Sequence, residues 1–173
     1  DGTITSTITI AVDDANSEDG FDGLADQTVS ATTTDNDVAG FTVAQTDGSS
    51  SVAETGTTDT FTVVLNAQPT TDVVMSIASS DAGESTTTNT LTFTNANWNT
   101  AQTVTVTGVD DNIIDGTITS TVTISIIDAN SDDTFDAVAN QTVSVTTTDN
   151  DTAGFTIAQT DGATSVAETG TTD

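Results

Sequence analysis

Thr117-Ile118-Thr119-Ser120-Thr121-Val122-Thr123-Ile124-Ser125-Ile126-Ile127 sets apolar side chains at nearly every second position against Thr and Ser. A period of two sends one set of side chains to each face of a β-strand, so this stretch reads as a strand with one buried and one wet face. Gln102-Thr103-Val104-Thr105-Val106-Thr107 has the same pattern just upstream, and together they form the longest alternating pair. Working outward, Gly40 to Gln45 opens an edge that Ser51-Val52-Ala53 continues. Asp59 to Leu65 follows and ends in a turn from Asn66 to Pro69; then come Asp72 to Ile77, Thr90 to Thr94 and Gln141 to Thr146. The reading predicts an all-β chain, a seven- to eight-stranded antiparallel sandwich with no helix of useful length. Phe41, Phe61, Phe93 and Phe135 read as core.

The chain repeats itself. Asp1-Gly2-Thr3-Ile4-Thr5-Ser6-Thr7 recurs as Asp115-Gly116-Thr117-Ile118-Thr119-Ser120-Thr121, an offset of 115 − 1 = 114 residues that runs without a gap to Asp59 and Asp173. About three quarters of the compared positions are identical, the mark of a tandem array. A period of that size matches one sandwich domain. The boundary is expected after Asp35-Asn36-Asp37 and Asp149-Asn150-Asp151. Residues 1–37 are then the C-terminal part of a preceding repeat, 38–151 a complete repeat, and 152–173 the N-terminal part of the next. Expected partners are neighbouring repeats of the same chain and identical chains in a filament.

Composition narrows the function. The chain has 27 acidic side chains and no Lys, Arg or His, for a formal charge of −27. Self-repulsion on that scale opposes a compact state unless cations neutralise it. Phosphate and anionic lipid both require basic side chains, so nucleic acid and direct membrane contact are excluded. Without Cys no disulfide supports the fold, and no apolar run is long enough for a transmembrane helix. The absence of His, Cys, Lys, Arg and Tyr removes the usual nucleophile–base pairs, so no enzyme is expected.

The carboxylates gather in loops. Val109-Asp110-Asp111-Asn112-Ile113-Ile114-Asp115-Gly116 joins two long strands, and Thr148-Asp149-Asn150-Asp151 lies at the junction between units. Glu54 lies in the turn after Val52-Ala53, and Asp81 follows the strand ending near Ile77. Loops that leave strands of matching direction meet at one end of a sandwich, so Glu54, Asp110, Asp111, Asp149 and Asp151 are expected to face each other across one pole. Asp and Asn also favour solvated turns. For a cluster, repulsion between adjacent carboxylates favours a divalent ion instead. Calcium, which takes six to eight hard oxygens, is the expected cofactor. Asp35, Asp37 and Glu168 are the repeat equivalents of these ligands.

At Val52-Ala53-Glu54-Thr55-Gly56, Leu91-Thr92-Phe93, Val109-Asp110-Asp111 and Asp149-Asn150-Asp151 the chain resembles the Calx-β domains of sodium–calcium exchangers and giant bacterial surface proteins. The likeness to the adhesin-type members is closer, through Asn97-Trp98-Asn99-Thr100 and the Asp-Asn-Asp junction. The resemblance implies an immunoglobulin-like sandwich with calcium at one end. It places Glu54, Asp110, Asp111, Asp149 and Asp151 where the family has ligands, with a backbone carbonyl from Ile113 and Asp115 standing for the family's Glu. Thr117-Ile118 replaces a further acidic residue, and the family's Gly-Ser-Asp-Tyr loop is missing, with Asp81 or Glu84 in its place. Fewer ions or weaker sites are implied.

A second acidic stretch, Asp128-Ala129-Asn130-Ser131-Asp132-Asp133-Thr134-Phe135-Asp136, and its copy Asp14 to Asp22 open like an EF-hand loop, but the copy's Gly20 falls one position late and the terminal Glu is missing. Asp128, Asn130, Asp132, Asp133 and Asp136 are candidate ligands of a separate, loop-stabilising calcium. Threonine supplies 43 of 173 residues, a good strand former that stays soluble without charge. Trp98, the one Trp, reads either as a rim or core plug or as a platform for a sugar. The expected function is a calcium-stabilised structural repeat of an extracellular, cell-surface rod, adhesin stalk or filament. A carbohydrate-binding surface module is the alternative.

Overall fold

The computed structural model describes residues 2–159, 162, 166 and 168–170. A two-stranded hairpin pairs β1 (Ile4–Ile10) with β2 (Gln27–Thr33). Two sheets then form an immunoglobulin-like sandwich from β3 (Phe41–Gln45), β4 (Ser50–Ala53), β5 (Thr58–Leu65), β6 (Val73–Ser79), β7 (Ser85–Thr87), β8 (Thr90–Phe93), β9 (Gln102–Gly108), β10 (Ile118–Ile126) and β11 (Gln141–Thr148). The five-stranded sheet runs β4-β11-β10-β6-β8, and the four-stranded sheet runs β3-β5-β9-β7. Among the described residues, helical structure is limited to 3-10 turns at Asp14–Asn16, Asp128–Asn130 and Asp133–Phe135. None of the described residues forms a helix long and apolar enough to cross a membrane.

The alternation places the core. In β5 the buried apolar side chains are Phe61, Val63 and Leu65, in β9 Val104 and Val106, in β6 Val73, Met75 and Ile77, and in β10 Val122 and Ile124. Their neighbours in sequence, mostly Thr and Ser, face outward, as half-buried sheets require. Phe41, Phe61, Phe93 and Phe135 are all buried, and Phe135 fills the end of the core from its 3-10 turn. Trp98 packs its partly buried ring on this core.

Three features differ from the expected sandwich. The two sheets hold nine strands rather than seven or eight, because Ser85-Thr86-Thr87 forms β7, which has no apolar residue to betray it. Ser51-Val52-Ala53 does not continue the edge of β3. The chain crosses at Gly48, whose φ of 79° suits glycine, and β4 joins the opposite sheet. There β4 pairs in parallel with β11, while every other pairing among the described residues is antiparallel.

The topology has two poles. β4, β6, β9 and β11 end at one pole, where β5, β7 and β10 begin. The 66–72, 94–101 and 127–140 connections cross the other. Because β3 starts at one pole and β11 ends at the opposite one, the chain enters the sandwich at one end and leaves at the other.

Candidate metal centre

Four loops deliver carboxylates to the first pole. Glu54 follows β4, Glu84 precedes β7, Asp110, Asp111 and Asp115 lie in the β9–β10 connection, and Asp149 and Asp151 follow β11. The backbone holds this arrangement. Gly116, at φ 75°, points its N–H at Asp149 Oδ2 (2.8 Å), and Asp151 N–H donates to Asp149 Oδ1 (2.6 Å). Asn150 bridges two loops, its N–H to Glu54 Oε2 (3.2 Å) and its Nδ2 to Asp110 Oδ1 (2.9 Å). Ile113 N–H donates to Asp111 Oδ1 at 2.6 Å.

Two sets of carboxylates come close enough to share an ion. One carboxylate oxygen from each of Glu54, Glu84 and Asp115 lies within 4.8 Å of the others, and the same holds for Glu54, Asp149 and Asp151. Two oxygens each about 2.4 Å from one calcium lie at most about 4.8 Å apart, so both sets fit. Glu54, 1% exposed, belongs to both.

The electrostatics are uncompensated. Glu84 Oε2 and Asp151 Oδ2 are buried with no hydrogen-bond partner, an expensive state for an ionised oxygen. Burial pushes Glu84 above its ordinary 4.5, helped by Asp115, Asp81, Glu54 and Asp111. At Glu54 the Asn150 N–H pulls downward, but burial with Asp149, Asp111 and Asp115 outweighs it, and the net shift is upward. Asp151 is raised by burial and then by Asp149, Asp110, Asp111 and Asp115. Asp149 moves the other way, because the Asp151 and Gly116 N–H groups hold its carboxylate ionised. No cationic side chain is available to the pole, so an oxygen-seeking metal ion fits this donor set.

The remaining sequence candidates lie as follows. Asp81 lies in the β6–β7 turn, where its Oδ1 accepts from Gly83 N–H (3.0 Å); it adds to the field on Glu84 but belongs to neither close set. Asp35 and Asp37 lie behind β2, where Asp35 accepts from Gly2 N–H (2.7 Å) and Asp37 N–H (2.9 Å), the bonds that Asp149 makes at its own turn. Glu168 is exposed. Among the described residues neither close set draws on Asp128, Asn130, Asp132, Asp133 or Asp136.

Asp132 has a different task. Its buried carboxylate accepts five hydrogen bonds, from Thr70 N–H and Oγ1 (both 2.7 Å), Thr71 N–H (3.0 Å), and Thr134 N–H (3.0 Å) and Oγ1 (2.6 Å). Burial opposes its ionisation, but these donors together hold it well below the usual carboxylate range. The clasp ties the β5–β6 connection to the turn that carries Phe135. Asp132→Ala is therefore expected to lower stability by about 3 kcal/mol, as loss of a buried, charge-assisted network does. Urea unfolding in saturating calcium checks it. A loss under about 0.5 kcal/mol, the range of ordinary surface changes, would count against the clasp.

No protein-family model matches the chain, and no curated protein matches it by sequence. Solved structures resemble its fold. Domains 4 and 5 of the S-layer protein SbsC are 23% identical with a TM-score of 0.43, over 70% of this chain and 59% of that one. Domains 1–6 of SbsC are 21% identical with a TM-score of 0.49, over 84% and 16%. The apo form of the Calx CBD1 domain is 13% identical with a TM-score of 0.44, over 64% and 98%. The chain thus spans 59% and 16% of the two SbsC structures.

Proposed function

We propose that this chain is a calcium-stabilised structural repeat of an extracellular, cell-surface rod, adhesin stalk or filament, without catalytic activity. The observation that carries the reading is the pair of carboxylate sets sharing buried Glu54, with partnerless oxygens on Glu84 and Asp151. Such a pole is strained by its own charge until a cation enters. Glu54, Glu84, Asp115, Asp149 and Asp151 would hold calcium, and Asp110 and Asp111 would complete the acidic rim. The ion supplies positive charge and rigid coordination that tie four loops together. Millimolar calcium outside cells suits the weak sites typical of extracellular modules.

The rod reading rests on geometry and repetition. Entry at one pole and exit at the other stacks units head to tail, and the 114-residue period supplies the units. A cleft of about 670 Å³ lies between Gly2, Asp35 and Asp37 on one side and Ala67, Gln68 and Phe135 on the other. The junction turn behind β2 thus stands beside the pole opposite the acidic one. Calcium at such a turn would stiffen the step between units.

Direct titration calorimetry of the chain with calcium at high ionic strength tests the reading. Saturable heat is expected, with a dissociation constant in the range of about 10⁻⁶ to 10⁻³ M and weaker binding of magnesium, which demands a smaller octahedral cage. Glu54→Gln removes an oxygen shared by both sets and is expected to weaken calcium at least ~30-fold, as loss of a charged ligand does. Glu84→Gln is expected to weaken calcium while stabilising the metal-free fold, because it relieves a buried charge. Absence of calcium heat would sink the proposal.

A further inference from the structure

The same hairpin occurs twice, once covered and once bare. β10 pairs with β11 from Ile118↔Thr147 to Ile124↔Gln141. β1 pairs with β2 from Ile4↔Thr33 to Ile10↔Gln27, the same register 114 residues earlier. The connections match as well. Asn16 N–H bonds to Asp13 O as Asn130 N–H bonds to Ile127 O, and Phe21 and Leu24 make the turn bonds of Phe135 and Val138.

Only their surroundings differ. Val122, Ile124, Phe135 and Val143 are 0%, 0%, 1% and 4% exposed, while Ile8, Ile10, Phe21 and Val29 are 53%, 60%, 53% and 52% exposed. β11 and β10 are flanked by β4 and β6, whereas among the described residues β1 and β2 pair only with each other. Isolated two-stranded hairpins are marginal in water, and open edges invite pairing. The molecule itself displays what covers this face: strands of the kind found in β3 to β9.

We propose that β1 and β2 close a second sandwich, and that their bare apolar face takes a segment equivalent to residues 38–114 joined ahead of Asp1 on the same polypeptide. A second copy of the chain does not suit the role, since its own 38–114 segment already holds residues 115–151. Nor does an unrelated apolar partner, because the bare face keeps the register, the turn bonds and the side-chain order of the covered one. In a tandem array each repeat would then be completed by its own last hairpin, and the hairpin would carry the junction turn from one core to the next.

The test joins residues 38–114 to Asp1 and compares this extended chain with residues 1–173 by amide hydrogen exchange. In the shorter chain, β1 and β2 amides should exchange at least ~100-fold faster than those of β10 and β11. In the extended chain the two hairpins should agree to within about tenfold. Val29→Asp in the extended chain should return β1 and β2 to fast exchange and leave β10 and β11 unchanged. As a second readout, cysteines replacing Ser6 and the added copy of Ser85 should form a disulfide, because Ser85 and Ser120 Oγ atoms stand 2.9 Å apart in the covered version. An extended chain whose β1 and β2 stay unprotected would overturn the proposal. So would protection of the shorter chain that rises with its concentration, which would assign the face to a second copy. Running every arm with calcium and with EDTA separates this result from the metal reading, since the apolar match does not depend on an ion.

Discussion

Saturating calcium is expected to raise the melting temperature of this chain by about 15 °C over excess EDTA, with ionic strength held high and constant. Ligand at a thousand times its dissociation constant stabilises a fold by about 4 kcal/mol, and each kcal/mol moves a domain of this size by about 4 °C. High salt is needed because a chain of charge −27 responds to screening alone. The pH dependence separates binding from screening. In EDTA the folded carboxyls of Glu54, Glu84 and Asp151 titrate above their ordinary 4.5 and 3.8. Their contribution to stability is present below those ordinary values and lost as pH rises through the raised ones. Calcium works in the opposite sense, since it binds the ionised oxygens and loses them to protons as pH falls. The gap between the calcium and EDTA melting curves should therefore widen from about pH 5 to about pH 7. Asp132, held low by its donors, contributes stability above the ordinary Asp range and loses it only in stronger acid, with or without calcium. A gap that is absent, or indifferent to pH, would leave the acidic pole without its ion.

Gly108→Ala is expected to destabilise the chain by at least ~3 kcal/mol, at the upper end of overpacking costs, and to weaken calcium binding. A Cβ at Gly108 would lie 2.1 Å from Ala53 O and 2.7 Å from its carbonyl carbon. No side-chain rotation relieves this, because the obstacle is backbone. That backbone is pinned: Ala53 registers against Thr148 in β11, its N–H bonds to Thr57 Oγ1, and Glu54 N–H bonds to Thr148 O. Gly108 itself donates to Thr57 O. The strand that must yield leads straight into Glu54, so the fold and the acidic pole suffer together. Gly20→Ala, at a position with open space, is the matched control and should stay within about 0.5 kcal/mol. Urea unfolding and calcium calorimetry on both variants decide the matter. A silent Gly108→Ala would mean that β9 and β4 do not approach this closely.

What was legible in the chain follows from local rules. Alternation in Gln102–Thr107 and Thr117–Ile127 exposes strand and face together, because the pleat has period two. Phe41, Phe61 and Phe93 follow from the same count, whereas Phe135 is buried from a 3-10 turn that alternation does not reach. The 114-residue offset is visible without any structure, and so is the lack of every cationic side chain. The meeting of Glu54 with Asp149 and Asp151 was foreseeable from loop direction, but from the β9–β10 connection it is Asp115, not Asp110 or Asp111, that shares a close set with Glu54. Other features depend on residues distant in sequence. β7 carries no apolar residue, so only its pairing with β9 makes it a strand, and that pairing buries Glu84 while leaving Asp81 on the turn. β4 reads as a continuation of β3 until its parallel partner in β11 draws it into the other sheet. Asp132 sits in an acidic run like any other, and its donors Thr70 and Thr71 lie about sixty residues away in the chain. Short-range pattern thus determined the strands, the repeat and the charge, whereas tertiary packing alone decided which carboxylates lose water together, since burial is a property of what the rest of the chain brings alongside.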